Sequence, residues 1–158
     1  MTTPEALNAL ADRVEREEPS RGLDIDIACA ALGWEKERQG GYIGQTPPDY
    51  AWNLRPIGRA YWDDGSRKAP PYTTSLDAAV TLVPPDCWRE TNGPRKYLNV
   101  PAPSPNRWKA EVAPWKTGMP CFGWAETEAM AICAAALRAR AADMQARAVG
   151  APHPARTA

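Results

Sequence analysis

The sequence predicts an α+β fold: an antiparallel sheet layered with helices, in an α/β/α-type sandwich. Three observations lead there. Apolar residues recur at helical spacing at both ends of the chain; short Trp- and Tyr-bearing segments, broken by Gly and Pro, lie between; and one more helix start sits among those segments. The order is helix, helix, strands, helix, strands, helix.

Thr3-Pro4 reads as an N-cap followed by proline at the first helical position. Leu7, Leu10, Ala11 and Val14 then repeat on one face, and Pro19 stops the run. A second helix is expected from Leu23 to Leu32, with Leu23, Ile27 and Ala31 buried and Gly33 as its stop. Residues 35–72 read as loop and short strands, with one strand at Ala51-Trp52-Asn53-Leu54 and a turn at Asp64-Gly65. A short helix follows over Ser75–Val83 and is closed by Pro84-Pro85. Asn92-Gly93 is a hairpin signal between Cys87-Trp88-Arg89-Glu90 and Lys96-Tyr97-Leu98-Asn99-Val100. Arg107–Ala113 is a further strand, and Pro120–Trp124 leads into the last helix, Glu126–Arg147. That helix carries Met130, Cys133, Ala134, Leu137, Ala141 and Met144 on one stripe, opposite Arg138, Asp143, Gln145 and Arg147. The reading is a single α+β domain over residues 1–149 and a disordered tail at 150–158.

Charge and composition exclude several classes. The 158 residues carry 19 basic and 19 acidic side chains, a balance that suits neither duplex nucleic acid nor an acidic mimic of it. No apolar run is long enough to span a membrane, and the N-terminus lacks a signal-peptide pattern, so the chain is expected in the cytoplasm. The four cysteines, Cys29, Cys87, Cys121 and Cys133, include no Cys-x-x-Cys, and the single histidine, His153, lies in the tail. Four free thiols are expected, with no disulfide, no metal and no cofactor. Without a second histidine, a Ser-His or Cys-His nucleophile pair has no base, and a non-enzyme is expected.

With the elements placed, the chain resembles the phage ABA-sandwich domain family of small phage and prophage accessory proteins. The segments that carry the resemblance are "ALADRVE", "LDIDIACAALGW", "YTTSLDAAVTLVP" and "AICAAALRARAA". It implies a compact sheet-and-helix domain of phage origin, working in the host cell, and brings no catalytic motif with it.

The stretch Tyr72-Thr73-Thr74-Ser75 places four hydroxyls at a helix start, soon after Arg67 and Lys68. With Thr74 as N-cap, Asp77 falls at the third helical position, near a capping box, and one hydroxyl is accounted for. Either the run only caps the helix, or the remaining hydroxyls complete an anion site with the helix N-terminus and the two cations. In the second case Tyr61, Trp62 and Tyr72 supply an aromatic plate. Asp24-x-Asp26 reads as acidic residues of a first turn, because side chains two apart on a helix diverge. Arg89, Arg95, Lys96, Arg107, Lys109 and Lys116 are interleaved with Trp88, Tyr97, Trp108 and Trp115, and strand alternation can place aromatics on one face and cations on the other.

These readings converge on a phage anti-defence protein that binds and sequesters a small anionic nucleotide, such as a cyclic nucleotide immune signal. The expected ligand-binding residues are Tyr61, Trp62, Arg67, Lys68, Tyr72, Thr73, Thr74 and Ser75, in a homo-oligomer that touches neither duplex nucleic acid nor membrane. The alternative is a protein–protein interaction module that inhibits or regulates a host or phage protein through exposed aromatics.

Overall fold

The computed structural model describes residues 2–38, 52–56, 69–94, 107–115 and 118–150. Helix α1 (Pro4–Arg16) is followed by α2 (Arg21–Leu32) and the strands β1 (Trp34–Arg38) and β2 (Trp52–Pro56). Then come α3 (Leu76–Val80), β3 (Cys87–Asn92), β4 (Trp108–Pro114), β5 (Cys121–Ala125) and α4 (Glu128–Gly150). This is an α+β chain with antiparallel sheets, as the sequence predicts.

Both N-terminal helices start where a side-chain oxygen satisfies an unpaired amide. Thr3 Oγ1 accepts from Ala6 N at 3.2 Å, and Ser20 Oγ accepts from Leu23 N at 3.2 Å. The Ser20 cap starts α2 at Arg21, two residues before the expected Leu23. Helix α1 ends at Arg16, with extended Glu17 as its C-cap, before Pro19 is reached. Gly33 ends α2 in the left-handed conformation, φ 66°, which favours glycine at that position. Leu7, Leu10, Ala11 and Val14 are buried as expected. On α2 the buried set is Leu23, Asp24, Ile25, Ile27 and Ala28, while Ala31 is only half-buried.

β1 and β2 form an antiparallel pair with Lys36 opposite Leu54. The three-stranded sheet has the order β3-β4-β5, both pairs antiparallel. β3 takes β4 as its neighbour, with Asn92 of the expected Asn92-Gly93 hairpin opposite Lys109. The residues expected to form its second strand, 96–100, lie outside the described residues, as do the 64–65 turn and the tail from 151. Residues 121–125, expected as a lead into the last helix, are strand β5.

Gly123 explains how α4 sits on this sheet. A Cβ there would lie 2.1 Å from Ala131 O and 2.7 Å from Ala135 N, so helix backbone rests on strand backbone. Alanines at 131, 134, 135 and 136 permit that approach, and all four are fully buried. Helix α4 is therefore buried all round from Ala129 to Leu137 rather than along one stripe. Ala110, Val112 and Ala125 share the face of Gly123. Lys109, Glu111, Phe122 and Trp124 alternate onto the other face, where Lys109 Nζ stands 4.5 Å from the Phe122 ring centre. Helix α1 packs along α4 and reaches β5. Among the described residues, α4 covers one face of this sheet, and the second helical layer of the expected α/β/α sandwich is not among them.

Candidate functional site

The hydroxyl run is divided among separate tasks. Tyr72 is 1% exposed, its carbonyl accepts from Cys133 Sγ at 3.3 Å, and burial pushes its phenol up to about 12. Thr73 is also 1% exposed, and both its N–H and Oγ1–H donate to Asp24 Oδ1, at 2.8 and 2.9 Å. Thr74 is exposed. Ser75, not Thr74, is the N-cap: its Oγ accepts from Ala78 N at 3.3 Å, so the cap falls one residue later than expected. Tyr72 and Thr73 thus face inward, in a segment folded back through Ser75 N–H to Pro71 O. Tyr61, Trp62, Arg67 and Lys68 lie outside the described residues.

The two acidic residues of α2 diverge as helical geometry requires. Asp26 pairs with Arg13 at 3.0 Å, and Asp24 turns inward to Thr73. Burial lifts the Asp24 carboxyl above its ordinary value, against the lowering pull of the Thr73 bonds and of Arg21.

The basic–aromatic segment does not separate by face. Trp88 lies opposite Ala113 and shares a face with Lys109, while Arg89 lies opposite Val112 on the face of Trp108. The face of Lys109 thus carries Trp88 and Trp124, and the face of Trp108 carries Arg89, so aromatics and cations share both faces. Arg95, Lys96, Tyr97 and Lys116 lie outside the described residues.

Two arginines on α4 mark different surroundings. Arg138 donates to Asp12 Oδ1 at 2.6 Å, to both carboxylate oxygens of Glu15 and to Phe122 O at 2.6 Å. Glu15 Oε1 also accepts from Trp124 N at 2.9 Å. Together they occupy the outward carbonyl and amide of β5, which closes that edge to another strand. These carboxylates raise the Arg138 guanidinium above its ordinary value.

Arg140 meets no carboxylate within ion-pair distance among the described residues. Its Nε donates to Leu82 O at 2.8 Å and Nη1 to Ala31 O at 3.3 Å, and burial lowers it. A guanidinium has five N–H groups, so three remain without a partner among the described residues. Asp143, one turn on, is held by Arg147 at 2.9 Å. Arg140 borders a cleft of about 660 Å³ between the end of α2, the 84–87 turn, residues 118–121 and the C-terminal half of α4. Ala30, Ala31, Pro84, Pro85, Met119 and Met144 form much of its lining. Sequence reasoning placed Arg138 and Arg147 opposite the apolar stripe of α4 and did not single out Arg140. The only available signal was that Arg138 and Arg140 are embedded in an alanine run, where a polar face has little else to offer.

In comparisons with protein-family models, with curated proteins and with solved structures, nothing matches the chain. No helix among the described residues is long and apolar enough to cross a membrane.

Proposed function

We propose that this chain acts by binding rather than catalysis, holding a small anionic ligand in the cleft beside Arg140. One observation carries the reading: a half-buried guanidinium, matched among the described residues only by two neutral carbonyls, borders the largely apolar cleft. A buried charge without a counter-ion is costly, and an incoming anion offsets that cost. The cleft size, about 660 Å³, falls within the range of small-molecule sites. Taken with the resemblance to phage accessory proteins, the reading extends to a homo-oligomer that sequesters an anionic nucleotide signal in the host cell.

The test is a thermal-shift panel of linear nucleotides, cyclic nucleotides and simple organic anions. A ligand at about 100 times its Kd adds about 2.7 kcal/mol to stability, which raises Tm by several degrees. We expect at least one anion to do so in the native chain and to lose the effect in Arg140→Met. A panel without any shift would sink the reading.

A second reading, a protein–protein module, has its own support in Trp115, 69% exposed, and Met119, 86% exposed. Its mark is a partner lost on Trp115→Ala while Arg140→Met is silent.

A further inference from the structure

We propose that the Arg140 cleft takes a monoanion with a flexible aliphatic body, a medium-chain carboxylate being the simplest case. This rests on the reading of Arg140 as the anion site and departs from its nucleotide extension, naming instead the chemistry that the rest of the cleft fits. The lining is the reason. Alanine, proline and methionine side chains border the cleft, with the Cys87 and Cys121 thiols, and no aromatic ring is among its described lining residues. A nucleobase draws its affinity from stacking on such rings and from hydrogen bonds at its edges. This wall offers neither in quantity. Methionine is unbranched and polarisable, and it moulds to irregular, flexible apolar bodies.

The charge pattern sets the head group. Arg147 already neutralises Asp143, and Asp86 is exposed, where water screens it. Arg140 is then the cation of the lining that no carboxylate pairs among the described residues, so the cleft offers one unmatched positive charge. A carboxylate can take two parallel N–H groups of a guanidinium. A doubly charged phosphate would remain half-compensated. The two thiols stay protonated, because burial pushes both above their ordinary value, and they behave as apolar wall.

The experiment titrates the full chain calorimetrically with octanoate, decanoate, decylammonium and a cyclic dinucleotide. Decanoate should bind more tightly than octanoate, by about fourfold per added methylene, and decylammonium at least tenfold more weakly. Arg140→Met should weaken decanoate at least tenfold. Because Arg140 also ties two carbonyls, Met119→Glu serves as a second variant. Residue 119 is 86% exposed, so the fold is kept while a negative charge at the cleft repels decanoate and not decylammonium. Equal affinity for decanoate and decylammonium, or no dependence on chain length, overturns the proposal. So does binding that survives both substitutions. Arg140-dependent binding of the dinucleotide without decanoate binding overturns this inference and leaves the broader reading standing, whereas no binding of any anion overturns both. Sedimentation with phosphatidylglycerol vesicles, in the absence of decanoate binding, would assign Arg140 to a lipid headgroup instead and also overturn it.

Discussion

Arg138 and Arg140 stand two residues apart on one helix, about 200° around its axis, and show what makes a cation structural. On the β5 side, Arg138 meets Asp12, Glu15 and a strand carbonyl, and every one of these groups gains by it. On the α2 side, Arg140 meets only the carbonyls of Leu82 and Ala31 among the described residues. The first region is closed: its cation is matched by carboxylates, and its backbone edge is filled. The second is held in place but not neutralised, and it borders open volume. Same residue type, same helix, opposite surroundings: what separates them is whether a neighbouring element supplies a carboxylate. Helix α1 supplies two. The end of α2 supplies a carbonyl at the negative end of a helix dipole, which orients a cation without cancelling it.

The largest effect should come from the contact that sets both arginines. Gly123→Val forces a side chain into Ala131 O and the Ala135 amide, at distances no rotamer relieves. Overpacking usually costs about 1–3 kcal/mol, and this site should lie above that range. Urea unfolding of the variant should show loss of the cooperative transition, or a midpoint far below the native one. An unchanged midpoint would mean that α4 does not rest on β5 as described, and both regions would need rebuilding.

The next effect tests the comparison directly. Arg138→Met leaves Glu15 and Asp12 without their cation and should cost about 1.5–3 kcal/mol, the worth of hydrogen bonds to charged groups. Arg140→Met loses two bonds to neutral carbonyls but also removes a desolvated charge, and should cost less than half as much. Paired denaturation curves decide it. Equal costs would make Arg140 a tie like its neighbour and remove the ground for an anion site there.

Much of the fold was legible because local signals and burial agreed. Thr3-Pro4 with Leu7, Leu10, Ala11 and Val14 gave α1 its start and its face, and Gly33 gave α2 its end. What escaped was set by contacts distant in sequence. β5 is five residues long with a glycine in its middle, a weak strand locally, and Gly123 makes sense only once α4 is laid across it. The pairing of β3 with β4 joins segments distant in sequence, and the local Asn92-Gly93 hairpin signal does not announce it. The hydroxyl run misled for a related reason. Capping and anion binding use the same atoms, and nothing local announced that Asp24, 49 positions away from Thr73, would occupy its hydroxyl. The contrast between Arg138 and Arg140 was invisible because both sit in the same alanine-rich repeat.

The smallest effect sharpens the comparison with a charge of opposite sign. Asp24, like Arg140, is held by neutral groups: its Oδ1 accepts from the Thr73 amide and hydroxyl, and it is 4% exposed. Burial, the dominant influence, raises its carboxyl above the ordinary 3.8, although Thr73 and Arg21 pull the other way. A raised carboxyl binds its proton more tightly in the folded state than in the unfolded one. Its contribution to stability is therefore fully present below the unfolded value and is lost as pH rises through the folded value. Asp24→Asn keeps a carbonyl oxygen for both Thr73 donors and cannot ionise. The native chain should thus hold its advantage over Asp24→Asn at acid pH and lose it on the way to neutrality, where the two differ by less than about 1 kcal/mol. Unfolding curves of both proteins from pH 3.5 to pH 7 measure the difference, and subtraction removes carboxylates common to both, such as Glu17, which Arg13 lowers. Were the native advantage to grow with pH instead, Asp24 would be a carboxylate stabilised in its charged form. A cationic partner such as Arg21 would then outweigh burial, and Asp24 would belong with Arg138 rather than with Arg140.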